Sequence, residues 1–127
     1  MSVELITAAE APPAVGPYSH ASRHGGVVYC SGCLALDESG VFLGGDAAAQ
    51  ARKALSNLEK VLAAAGAGKT DVLKTVVFLT DMADFAAVNV VYAEFFGEHK
   101  PARSCVAVAQ LPLGATVEVE AVAAISG

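Results

Sequence analysis

Gly44–Gly66 reads GGDAAAQARKALSNLEKVLAAAG, and its spacing decides the fold. Ala51, Ala54, Leu55, Leu58, Val61, Leu62 and Ala65 recur at offsets of three and four, the period that gathers side chains into one stripe of an α-helix. Arg52, Lys53, Asn57, Glu59 and Lys60 face elsewhere on this reading. Asp46 is a candidate N-cap and Gly66 a candidate C-terminal stop. An amphipathic helix of this kind needs a layer to cover.

The text on either side supplies that layer. Downstream, VLKTVVFLT (Val72–Thr80) is an almost unbroken β-forming run of strand length, which predicts burial on both faces. Upstream, SHASR, a HGG turn and VVYCSGCLAL read as a hairpin, with Cys30 in its second strand. The preceding APPAVGPYS carries three prolines and a glycine, which bar a helix or a central strand and mark an ordered covering loop that ends near Tyr18. A second helix is predicted from Asp81 or Asp84 to about Phe96, with Val88, Tyr92, Phe95 and Phe96 inward and Asn89 on its surface. RSCVAVA and TVEVEAVAAI are two late strands, read as a second hairpin because QLPLGA between them contains Pro and Gly. The order hairpin, helix, strand, helix, hairpin predicts an α+β sandwich with two helices on one face of a mixed sheet.

The whole of residues 1–127 reads as one domain. The chain is 54% hydrophobic and only 17% charged, with a mean hydropathy of +0.52. A small monomer has too much surface for its volume to hide that apolar content, so an oligomer is expected. No apolar run approaches the ~18 residues that span a bilayer, so a soluble protein without a membrane partner is expected. The net charge is −5 and the eight Lys and Arg are scattered, which disfavours nucleic acid as a partner. An odd count of three cysteines without a secretory signal points to the cytoplasm.

Cys30-Ser31-Gly32-Cys33 poses the question of a redox or metal pair. In a regular strand, residues three apart face opposite ways and, at about 3.3 Å per residue, lie beyond the ~7 Å between Cα atoms that a disulfide tolerates. Redox pairs open helices, whereas LALDESG after Cys33 heads into a turn. The pair is therefore expected to pack, with Ser31-Gly32 offering close backbone approach to a ligand. His20 and His24 have ligand-like spacing but bracket a turn and lack a third ligand nearby. No P-loop and no Ser-His-Asp or Cys-His set can be assembled.

Period two sets Arg103 and Cys105 on one face of their strand, and Glu118 and Glu120 on one face of theirs. If the strands are neighbours, an arginine suited to gripping a carboxylate and an acid suited to orienting a water would share a space. The plainer reading is an ion pair at a sheet edge or a subunit seam. Tyr18 likewise reads as a loop anchor, Asn89 as a polar helix position and Ser31 as a strand-end hydrogen bond.

Taken together, GPYS (Gly16–Ser19), Ser31-Gly32, AAQARKALSNLEKVLAAAG (Ala48–Gly66), VFLTDMADFAAVNVVYAEFF (Val77–Phe96), PARSCV (Pro101–Val106) and VEVEAVA (Val117–Ala123) resemble the RidA/YjgF family of imine deaminases, also called the endoribonuclease L-PSP family. The likeness runs in order over nearly the whole chain. It implies a chorismate-mutase-like α+β fold and a homotrimer around a central barrel, with ligand clefts between subunits. The implied reaction hydrolyses 2-imino acids or their enamine tautomers, such as 2-aminoacrylate, to 2-oxo acids and ammonia, without cofactor or metal. Matched by position, Arg103 would hold the substrate carboxylate and Glu118 would position the attacking water. Tyr18, Ser31, Asn89 and the backbone at Gly32 and Cys105 would shape the cleft. The run GEHKPARS is shorter than the family's usual one, and Cys33 replaces a common Gln; both bear on substrate range. The family also carries ribonuclease, translation-inhibitor and chaperone-like labels, and a trimer that binds 2-oxo acids without turnover would use the same clamp.

Overall fold

The computed structural model describes residues 2–125. Six strands form one sheet: β1 (Glu4–Ile6), β2 (Ala21–His24), β3 (Val27–Cys33), β4 (Val72–Leu79), β5 (Ala102–Ala107) and β6 (Val117–Ala124). Helices α1 (Ala47–Ala64) and α2 (Phe85–Phe96) lie in the connections before and after β4. The sheet order is β1-β2-β3-β6-β4-β5, and both helices pack on one face, as the α+β reading predicts.

Helix α1 starts where Asp46 accepts a hydrogen bond from the Ala49 amide at 2.8 Å. It ends in a Schellman turn: the Gly66 amide donates to Ala63 and the Ala67 amide to Leu62, with Gly66 at φ +84°. Every residue of the predicted stripe is buried against β3 and β6. Complete burial of Leu55, Leu58 and Leu62 stabilises the fold by about 1.5–3 kcal/mol each. Asn57, read as facing away, is instead buried. It sits on the flank of the stripe, three residues after Ala54 and four before Val61, where its amide donates to the Leu34 and Leu36 carbonyls at 3.0 Å. Those carbonyls leave the sheet at the β3–α1 connection and need a donor once buried.

The late hairpin does not form. β5 runs parallel to β4, and β6 inserts between β3 and β4, antiparallel to both. The β5–β6 connection, residues 108–116, is longer than a tight reversal and crosses the end of β4. There the Val108 amide donates to Leu79 at 2.7 Å, and the Thr80 amide to Thr116 at 3.2 Å. β4 buries Val72, Thr75, Val77 and Leu79 on the helix side. Its opposite face is only half-buried within the chain at Lys74, Val76 and Phe78. The helix side meets the expectation of burial, and the other face is the one expected to lie against a partner subunit.

The β2–β3 hairpin is as read and its two free cysteines pack as expected, but they do not face opposite ways. Cys30 pairs with Ala121 and Cys33 with Val119, so Ser31 and Gly32 on β3 together oppose Glu120 alone on β6. A bulge at Ser31-Gly32 absorbs the extra residue and inverts the alternation. Cys33 therefore turns to the same helix-facing side as Cys30, against the core. Burial pushes the Cys30 thiol up to about 11. Burial, aided by Cys30 and Glu118, pushes Cys33 up to about 12. Such thiols are poor nucleophiles at neutral pH.

Candidate functional site

The bulge has a second consequence. Gly32 comes to lie directly beneath the side chain of Glu118: a Cβ at Gly32 would stand 2.7 Å from the Glu118 carboxyl carbon and from Oε2. The close approach expected at Ser31-Gly32 is thus occupied by a carboxylate of the same chain. Tyr18, Ser31, Gly32, Leu34, Pro112 and Glu118 line an open cleft of about 430 Å³. The Ser31 hydroxyl donates to the Ser19 carbonyl at 2.7 Å and so ties the covering loop to the bulge. The Tyr18 hydroxyl accepts from the Val15 amide at 3.2 Å, and its ring stays exposed at the cleft. His20 is bound into the same loop, its Nδ1 accepting from Ala8 at 2.9 Å and its Nε2 donating to Pro12 at 2.7 Å. Glu118 is held above the usual carboxylate range by burial and by the charge of Glu120 on the same strand face.

Arg103 is elsewhere. It pairs in register with Thr75 and Cys105 with Val77, on the helix side of the sheet. The Arg103 guanidinium donates to Asn89 Oδ1 at 2.7 Å. It lies over the Tyr92 ring at 4.8 Å and near the Phe85 ring at 5.6 Å. Its partners are thus an amide and two aromatic faces on α2, and among the described residues its other N–H groups have no hydrogen-bond partner. Cys105 neighbours it on β5; burial raises that thiol's pKa and the Arg103 charge opposes the rise.

The predicted site residues therefore fall into two groups within one chain. Tyr18, Ser31, Gly32 and Glu118 gather on one side; Asn89, Arg103 and Cys105 gather on the other, at the β5 edge. β4 separates Arg103 from Glu118, and their side chains leave opposite faces of the sheet. The idea that neighbouring strands bring them together is overturned by the strand order. Phe85, Tyr92 and Pro112 were not read as site residues. The first two were legible in principle: Phe85, Asn89 and Tyr92 recur at offsets of four and three on one face of α2. Among the described residues, no group of three or more His, Cys, Asp or Glu is placed to hold a metal ion, and no helix is long and apolar enough to cross a membrane.

A mixed sheet backed by two helices, with an arginine held against α2 at one edge and a half-buried glutamate beneath a loop-covered cleft, defines a chorismate-mutase-like α+β protein. A family model described as Endoribonuclease L-PSP matches residues 8–125. The chain belongs to this family, the RidA/YjgF or RutC family. It is 49% identical to the RutC family protein UK114 of Drosophila melanogaster over 94% of this chain and 88% of that one. It is 43% identical to the 2-iminobutanoate/2-iminopropanoate deaminase of Homo sapiens, with the same two shares covered. The crystal structure of RidA from an Antarctic Psychrobacter species superposes with a TM-score of 0.92 at 41% identity, over 96% of this chain and 99% of that one.

Proposed function

We propose that the protein is a homotrimeric deaminase that hydrolyses 2-imino acids to 2-oxo acids and ammonia, with each active site shared between two subunits. The observation that carries this reading is the separation of Arg103 and Glu118. Each half is ordered and chemically competent, yet neither is complete and one chain cannot join them. Support comes from the open face of the sheet, where Leu5, Tyr29 and Val106 are exposed and Val76, Phe78 and Val122 half-buried, an apolar surface that a second copy would cover. β5, which carries Arg103, is an edge strand with unpaired backbone on its outer side. Relatives named as 2-iminobutanoate/2-iminopropanoate deaminases support the chemistry.

In this mechanism Arg103 of one subunit grips the substrate carboxylate in two-pronged fashion and sets C2 of the imine in the neighbouring subunit's cleft. Glu118 of that neighbour takes a proton from a water as its oxygen adds to C2 of the protonated imine. The carbinolamine that forms is protonated on nitrogen by the same carboxyl. The C–N bond then breaks, and the hydroxyl proton passes to the Glu118 carboxylate as the 2-oxo acid forms and is handed from there to the departing ammonia, which leaves as ammonium. The raised pKa of Glu118 makes its carboxylate a stronger base than an ordinary one, which suits a group that must take a proton from water.

Subunit mixing tests the reading. Arg103→Ala and Glu118→Gln proteins should each be inactive on 2-iminobutanoate generated in situ. Unfolded together in equal amounts and refolded, they should recover about a quarter of wild-type activity, because random assembly draws an intact Arg103 and an intact Glu118 for about one site in four. No recovery on mixing, with both variants still trimeric, would exclude a shared site.

A further inference from the structure

Beneath Arg103 lies a pair of hydroxyls that the proposed reaction does not use. Thr75, fully buried on β4, is hydrogen-bonded through Oγ1 to the Tyr92 hydroxyl at 2.7 Å. Thr75 is also the register partner of Arg103 on the adjacent strand. The Tyr92 ring is packed against Phe96, with centroids 4.8 Å apart, and carries the Arg103 guanidinium 4.8 Å from its own centroid. The ring is thereby held at its tip by a buried strand hydroxyl and along its body by Phe96, with the cation over it.

We propose that Thr75 and Tyr92 are positioning residues for Arg103: their hydrogen bond fixes the ring on which the guanidinium rests, so that its free N–H groups are aimed before a carboxylate arrives. An arginine side chain is long and rotamer-rich, and a single bond to Asn89 leaves the guanidinium plane free to swing about that contact. A face held still beside it removes that freedom in advance, which is how preorganisation raises affinity. The inference rests on the reading of Arg103 as the carboxylate clamp.

Calorimetry with pyruvate and 2-oxobutanoate, alongside thermal melts, separates this role from packing. Thr75→Val keeps the volume and loses the hydroxyl; Thr75→Ser keeps the hydroxyl and loses a methyl. Positioning requires Thr75→Ser to bind more tightly than Thr75→Val, whereas packing alone requires the reverse order of stability and no difference in affinity. Thr75→Val and Tyr92→Phe should each weaken binding about three- to ten-fold, the effect of one hydrogen bond. The double variant should be no weaker than either single one, since both delete the same bond. In wild-type protein the Arg103 Nε–H proton should be shifted upfield by the Tyr92 ring, a readout that needs no variant. Unchanged affinity in Thr75→Val, or an Arg103 signal without ring shift, overturns the inference. Unchanged binding by Arg103→Ala would instead overturn the assignment of the clamp, and this inference with it.

Discussion

Arg103 and Glu118 are held by opposite means. Arg103 is gripped by side chains: an Asn89 oxygen at 2.7 Å, the Tyr92 ring, and Phe85 on the far flank. Glu118 rests on missing atoms. Its carboxyl lies over a glycine, in space that any Cβ at Gly32 would occupy. A cation of five N–H donors is oriented by supplying acceptors and π-faces, whereas a base must keep its lone pairs free for water and is better placed by shape. The two halves also differ in where they come from. The arginine's partners all lie on the neighbouring helix α2. The glutamate's seat is a bulge on β3, with β6 and β4 lying between it and the strand of Arg103.

The comparison breaks most visibly at the arginine. Arg103→Ala should lower turnover by about a thousand-fold while the thermal midpoint stays close to wild type, since on the proposed mechanism the side chain anchors the substrate and it lies outside the buried core. Arg103→Lys should restore little. A lysine bonded to Asn89 has no planar fork left for a carboxylate. Retention of more than half the activity by Arg103→Lys would show that charge alone suffices at this edge.

The glutamate half breaks through its seat. Gly32 has no positive φ, so its backbone accepts alanine, and the cost of Gly32→Ala falls on the Glu118 side chain it displaces. A displacement of about 1 Å at a reacting group lowers kcat by about ten- to a hundred-fold. Affinity for pyruvate, which the proposed mechanism assigns to Arg103, should change far less. Equal losses in kcat and in pyruvate affinity would mean that Gly32 serves the ligand directly.

The smallest effect sharpens the electrostatic side of the contrast. Burial first, and Glu120 second, raise the Glu118 pKa. A base works only when ionised, so kcat/KM should fall as pH drops through that raised pKa. Glu120→Gln removes a negative neighbour, lowers the Glu118 pKa, and should move the acid limb of the pH profile to lower pH with little change at its plateau. A limb that stays in place, or moves to higher pH, would show that Glu120 does not act on Glu118 through its charge.

What the residues by themselves determined is every feature set by local period. The α1 stripe, its Asp46 cap and Gly66 stop, the β2–β3 hairpin, and the alternation that puts Glu118 and Glu120 on one face all follow from the side-chain directions that a helix or strand imposes on its own neighbours. Family-like motifs singled out the candidate site residues, which local period alone leaves as ordinary loop, helix and strand positions. Tertiary structure alone decided which strand lies beside which. β6 enters between β3 and β4, because its alternating apolar face completes the helix-covered core, and β5 is left parallel at the edge. That pairing is non-local: residues far apart in sequence compete for the same edge, and no local pattern ranks the competitors. The same holds for the bulge that turns Cys33 inward and for buried Asn57, each a response to a neighbour that the chain meets only after folding. It holds as well for the separation of Arg103 from Glu118, because strand period sets the direction of a side chain and the assembled sheet sets what that side chain faces.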